Sequence, residues 1–377
     1  MKEQKSRAPL PRFDKVNLKA WQLEDLDLNK TAQHFLKAVV PDEATKAGVT
    51  LIDLANQEKN TVPGFKAFGQ VAKANQDRLT EENQASYQGG YQLLVPAGVQ
   101  LTKPIFVQQI LGHENFASRA AIHIGAGAKV TILEKIEGPT DETNLQKKVW
   151  GSLVEELVIE READVRLITI DELNKQTTAY LNRQILLEEG ANLDWRLAGL
   201  SAHQVASSQG VLLKGHGSQA KVQVVALARE KEQLGFQSQV NHVGRHTVAR
   251  IDQRGVNMEA GQLIFNGIGR INLGAKEADA DQKSSIMMLS EKGRGEANPL
   301  LLIDEPDVTA GHAASVGQID QEQLAYLMSR GLRKEQAEQL VIRGVLNHIQ
   351  TGIGQDELLA FLENSIERKI TYYEPTR

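Results

Sequence analysis

No cysteine occurs among the 377 residues. That absence excludes disulfides, thiolate nucleophiles and zinc sites built on sulfur. Aromatic residues are scarce, at 5%, which fits narrow stacked units better than a broad sandwich core. No apolar run approaches the roughly 20 residues that cross a bilayer. The opening MKEQKSRAPLPRFDK is polar and lacks the apolar centre of a signal peptide. Charge is also unexceptional: the formal net value is −5, the pI is about 6.0, and both signs are mixed throughout. A nucleic-acid binder would carry a concentrated basic face. These absences together lead to the expectation of a soluble, cytosolic protein with neither nucleic acid nor membrane as a partner.

Catalytic punctuation is missing as well. There is no G-x-x-x-x-G-K-[ST] to cradle nucleotide phosphates, no H-E-x-x-H and no G-x-S-x-G. The glycine-rich patch Asn266–Gly269 lacks dinucleotide spacing and lies inside a strand pattern, where close backbone packing explains it. The chain reads as non-enzymatic.

What is present divides into three textures. Residues 1–90 read as polar and helical. Thr31–Val39 and Val49–Gln57 carry apolar residues at three- and four-residue spacing, Pro41 and Pro63 interrupt them, and Phe65–Tyr91 reads as a further helix. From 91 to 317 short alternating segments take over, including Val130/Ile132, Val165/Leu167, Leu193/Trp195/Leu197, Val222/Val224 and Leu263/Phe265. Such alternation suits strands with one buried face. Small-residue turns precede many of them, as at Gly125–Ala128, Gly190–Asn192 and Gly217–Ala220. The recurrence at about 25–35 residues is that of stacked repeat units. No long helical pattern intervenes, which argues against βαβ units, and no strict six-residue aliphatic spacing marks a left-handed hexapeptide helix. On pattern alone a β-helix is favoured, with a propeller or a sandwich as the alternatives.

Residues 318–377 return to helical spacing. Asp320 is placed to cap a helix that Gly331 stops. Ala337, Leu340, Val341, Gly344 and Val345 share one face of a second, and Leu358, Leu362, Ile366 and Ile370 line a third. These helices are expected both to cap the end of the β-helix and to offer a docking surface.

Of the nine histidines, His242 and His246 have the i, i+4 spacing that chelates metal on a helix. On a strand that spacing is about 13 Å, so a structural role is the better reading. His203, His216 and His348 read as surface or turn residues. His312 stands apart, among small residues where the strand pattern gives way to the helical one.

The stretch around His312 resembles the SufB/SufD family of iron–sulfur cluster assembly proteins. Members end their β domain with an apolar strand, an acidic turn and a Cys-x-His-Gly-Ala-x-Val-Gly-like passage, followed by an EEQLFYLRSRG-like helix. The matching residues here are Asp307–Val308, Ala310, Gly311, His312, Ala313, Val316–Gly317 and Asp320 to Gly331. A second match is the strand entry at Gly90, Leu93–Pro96, Gly98, Leu101 and Pro104–Ile105. Ala310 replaces the cysteine often found two residues before the histidine, which marks a D-like rather than a B-like member.

The resemblance implies a right-handed parallel β-helix over 91–317, flanked by N-terminal (1–90) and C-terminal (318–377) α-helical regions. It implies pairing with a SufB-like homologue, docking of a SufC-like ATPase on the C-terminal helices, and a homodimer when the chain is made alone. Leu324, Tyr326, Leu327, Arg330, Leu340 and Val341 are the candidate docking residues. His312 is the candidate ligand for iron or a nascent cluster. With no cysteine, the chain cannot hold a conventional cluster unaided, so no cofactor is expected to stay bound to it alone. A transient iron or iron–sulfur cluster would be shared with the partner, and ATP would sit on the ATPase. Asp304, Glu305 and Asp307 are turn-formers first. Two rival readings are a purely structural stabiliser of the complex and a carbohydrate-active β-helix enzyme. The second would call for a secretion signal and an aromatic-lined cleft.

Overall fold

The computed structural model describes residues 8–23, 28, 35–56, 69, 71–73, 76–112, 114–138 and 147–371. The N-terminal elements are β1 (Phe35–Val39), α1 (Asp42–Lys46), β2 (Thr50–Asp53) and α2 (Arg78–Ser86). A run of strands follows: β3 (Gly89–Val95), β4 (Ile105–Ile110), β5 (Phe116–Ile124), β6 (Lys129–Glu137), β7 (Val149–Ile159), β8 (Asp164–Glu172), β9 (Thr177–Leu187) and β10 (Asn192–Gly199). It continues with β11 (Gln204–Leu213), β12 (Gln219–Ala228), β13 (Gln233–His242), β14 (Val248–Asn257), β15 (Gln262–Ile271), β16 (Ala278–Met288), β17 (Arg294–Ile303) and β18 (Val308–Gln318). The chain then turns helical in α3 (Gln321–Ser329), α4 (Lys334–Leu346) and α5 (Asp356–Thr371).

Odd and even strands form separate sheets. One runs β1-β4-β6 and on through the even strands to β18; the other runs from β2 and β3 through the odd strands to β17. Neighbours pair in parallel, except that β1 lies antiparallel to β4 and β2 to β3. The result is a parallel β-solenoid of about 8 turns. Asn192 stands beside Gln219 and Lys129 beside Asp164, coil offsets of 27 and 35 residues, within the repeat range read from the sequence.

Alternation explains the interior. Leu93, Ile122, Leu157, Ile185, Val211 and Val240 occupy one register position on successive odd strands, and all are buried. Ile132, Leu167, Trp195, Val222 and Ile251 do the same on the even sheet. A slip of one residue would turn every one of these to the wrong face, which fixes the register. Truncating a single rung, as in Leu157→Ala, would cost about 2–5 kcal/mol.

The corners stack as regularly. Gly98, Gly127, Glu162, Gly190, Gly217, His246 and Glu277 all have φ between +57° and +73°, and each N–H donates to a carbonyl of the next coil. Glycine reaches this left-handed conformation freely, while the other residues accept it at a cost. Amides also stack: Gln204 Nε2 donates to Gln233 Oε1 at 2.6 Å, and Gln233 Nε2 donates to Gln262 Oε1 at 3.1 Å.

The N-terminal helical expectation holds only in part among the described residues: α1 and α2 are helical, and Leu54–Asn56 forms a 3-10 turn. Of Thr31–Val39, residues 35–39 form a strand, and of Val49–Gln57, Thr50–Asp53 form another; residues 31–34 and 57 lie outside the described set. Short apolar runs fit either period, and pairing to β4 and β3 decides for strand. Among the described residues of Phe65–Tyr91 only Arg78–Ser86 is helical; 65–68, 70, 74 and 75 lie outside the described set. Asp77 caps α2, accepting from the Thr80 N–H at 2.9 Å. Phe13, Val16, Leu18, Trp21 and Leu23 pack across the outer face of the odd sheet, against Ala117, Tyr180, Ala206 and Ile264.

The C-terminal helices form as expected but lie elsewhere than expected. α4 and α5 rest along the outer face of the even sheet, where Ile342, Leu346, Leu358, Leu362 and Ile366 cover Ile168, Ile170, Leu200, Val225 and Leu227. They do not cross the end of the solenoid. The outer face is apolar and needs a cover, and that need outweighs capping.

Candidate functional site

The two ends of the solenoid differ. β1 and β2 close the first coil with antiparallel strands. At the other end β17 and β18 have strand partners on one side only. Their residues are mostly half-buried or exposed, in contrast to the buried strands beneath. Leu300, Leu302, Ile303 and Val316 are among the exposed large hydrophobic residues. Unpaired strand edges of this kind are templates for pairing with another chain.

His312 lies in the middle of β18, beside Gln282 of β16. Gln282 belongs to the inward-facing column of Ile132, Leu167, Trp195, Val222 and Ile251, so His312 takes an inward register position on a coil with nothing stacked above it. It is exposed for that reason. Gln282 Nε2 donates to the Leu300 carbonyl at 3.1 Å, leaving the imidazole at a polar, open mouth. Of the acidic residues before it, Glu305 is occupied with the turn. Glu305 is buried and accepts from the N–H groups of Gly274, at 2.9 Å, and Asp307, at 3.3 Å. Asp304 sits 3.7 Å from Arg270.

Among the described residues no group of three or more His, Cys, Asp or Glu side chains is arranged to hold a metal ion. His312 therefore belongs to no such group. His242 and His246 separate as the strand reading requires. His242 is buried in the lumen, its Nδ1 2.8 Å from Thr247 Oγ1, and burial holds its pKa down at about 4. His246 lies at the corner, with Nδ1 3.1 Å from Glu277 Oε2. His348 does more than sit in a turn: its Nε2 lies 2.9 Å from Asp252 Oδ2, tying the C-terminal region to β14.

The candidate docking residues divide. In the α3–α4 pair Leu324 is buried, and Leu327 and Val341 are half-buried, packed with Ile319 and Ala337. Tyr326, Arg330 and Leu340 face solvent, as does Met328. The Arg330 guanidinium lies 5.8 Å from the Tyr326 ring centre. Asp320 caps α3 through the N–H groups of Glu322 and Gln323, and Gly331 follows with φ +98°.

Sequence reasoning missed a charged cluster inside the lumen. Tyr91 donates its hydroxyl to Glu134. Arg183 forks onto Asp171 at 2.6 and 3.1 Å and approaches Glu155 at 3.8 Å. All are buried. Burial, reinforced by the Glu155 charge, pushes the Glu134 carboxyl well above the usual range. The available signal was parity, since each of these residues stands at an inward position of its strand.

Comparison with known proteins fits this geometry. A family model described as "SUF system FeS cluster assembly, SufBD core domain" matches residues 107–345. The chain belongs to the SufB/SufD family. The family match runs from within β4 to the end of α4. The iron-sulfur cluster assembly protein SufD of Bacillus subtilis is 30% identical, covering 98% of this chain and 92% of that protein. A SufBD family protein of Staphylococcus saprophyticus is 23% identical over 74% of this chain and 60% of its own length. One from Staphylococcus haemolyticus is 23% identical over 81% and 65%.

Proposed function

We propose that the chain is a SufD-like, non-catalytic subunit of a cytosolic iron–sulfur cluster assembly complex. The carrying observation is the open coil of β17 and β18, apolar at Ile303 and Val316 and holding His312 at its mouth. A SufB-like homologue would pair with these edges. A SufC-like ATPase would dock on the exposed side of α3 and α4, where Tyr326, Met328, Arg330 and Leu340 present apolar and aromatic surface.

Iron or a nascent cluster is cargo here. His312 would supply one nitrogen, as imidazole does in Rieske centres, and the partner would supply thiolates, since this chain has none. ATP hydrolysis on the docked subunit would shift the two solenoids and open their junction. No helix of the described residues is long and apolar enough to cross a membrane.

The test is co-purification with a SufB-like and a SufC-like protein, read as iron content after anaerobic reconstitution. His312 is exposed, so His312→Ala is expected to leave assembly intact and to lower iron content severalfold. Full iron content in that variant would favour a scaffold that contributes no ligand. Nucleotide hydrolysis or a stable cluster on the isolated chain would overturn the proposal.

A further inference from the structure

One corner of the solenoid gathers imidazoles from successive coils. His216 follows β11 and His246 follows β13, and their ring centres lie 4.9 Å apart at an interplanar angle of 62°. Both are exposed or nearly so. Two imidazoles bound through nitrogens about 2.1 Å from one cation, at tetrahedral or octahedral angles, have ring centres about 4.5–5.2 Å apart. The observed spacing falls inside that window without backbone movement.

The third residue is Glu277, one coil further on. Its carboxylate lies 3.1 Å from His246 Nδ1. A carboxylate on one ring nitrogen orients the imidazole and raises the basicity of the other, which is the outer-shell arrangement found behind metal-binding histidines. His246 Nε2 and both ring nitrogens of His216 have no hydrogen-bond partner among the described residues. His246 also sits at φ +57°, a left-handed position where glycine serves at Gly190 and Gly217 on the preceding coils. A histidine there accepts a backbone cost that glycine would avoid.

We infer that His216 and His246 form a two-imidazole site for a borderline divalent transition-metal cation, with Glu277 as the orienting carboxylate and water in the remaining positions. Nitrogen ligands of this type favour Zn²⁺, Ni²⁺ or Cu²⁺ over harder cations. The cation would join two adjacent coils at their exposed corner. This site is independent of His312 and of the proposed role in cluster assembly.

The experiment is a calorimetric titration of the untagged full-length chain with Zn²⁺, repeated on variants. Wild type is expected to show one saturable site. His216→Ala and His246→Asn should each weaken it by tenfold or more, asparagine being chosen because it tolerates the left-handed backbone. Glu277→Gln should weaken binding by about tenfold through the lost outer-shell contact. Circular dichroism and thermal unfolding check that each variant remains folded. Absence of saturable binding in the wild type overturns the inference. So does binding that both histidine variants retain, or that only His312→Ala removes.

Discussion

At the scale of single residues, the lumen stores two titrating groups whose effects on stability have opposite signs. His242 is buried and its pKa falls from 6.5 to about 4 because the charged form is desolvated. The folded state therefore prefers the neutral ring. Its contribution is fully present above pH 6.5 and is lost as pH falls towards 4. The window is worth roughly 3 kcal/mol. His242→Gln should flatten the decline of stability between these values, measured by urea unfolding at several pH values. Glu134 works the other way. Its folded pKa lies above the unfolded value of 4.5, with burial the main cause and the Glu155 charge the next. Its contribution is complete below pH 4.5 and is lost as pH rises through the folded pKa. Glu134→Gln, which keeps an acceptor for the Tyr91 hydroxyl, should stabilise the protein by roughly 1 kcal/mol at pH 8 and change little at pH 4. Equal effects at both pH values would rule out the buried proton.

At the scale of elements, α5 is pinned to the solenoid by a buried ion pair. Lys369 Nζ donates to Glu232 Oε1 at 2.7 Å and to the Ser201 carbonyl at 2.8 Å. Burial alone would push both groups towards neutrality. Lys369→Met leaves Glu232 with Arg229 alone, whose N–H it accepts at 3.0 Å and whose Nε lies 3.9 Å away, and should cost about 3 kcal/mol, whereas Lys369→Met with Glu232→Gln should recover part of that loss. Thermal unfolding of the single and double variants decides the matter.

Element type was legible in the sequence wherever the period was sustained. VRLITID and VQVVALA read as strands, and their nearly continuous apolar character also signals burial on both faces, which the helices α4 and α5 provide. The placement of those helices along the side, rather than over the end, required that signal to be weighed against strand-edge capping. FLKAV and TLID were read as helix because each is too short to show a period. Their partners β4 and β3 lie far along the chain, so pairing and not local preference settles them.

At the scale of the whole molecule, the solenoid is closed at one end and open at the other. The repeat spacing and the end of the strand pattern before Asp320 were visible in the sequence. That the last coil would be left uncovered was not, because coverage depends on where α3 to α5 pack. Ile303 continues the inward column of Ile271, and Val316 that of Ile286; both lower residues are buried, while Ile303 is 45% and Val316 46% exposed. The difference arises from the missing coil alone. Lysines at both positions would reach solvent in the free chain and should shift its stability by no more than about 0.5 kcal/mol. Buried in a junction, two unpaired ammonium groups would be strongly unfavourable. Ile303→Lys with Val316→Lys is therefore expected to remain folded and monomeric in sedimentation velocity. The wild type should associate with concentration and bind a SufB-like homologue that the variant no longer retains. If the doubly substituted chain still pairs as tightly as the wild type, the junction lies elsewhere on the molecule, and His312 loses its reason to stand at the mouth of the last coil.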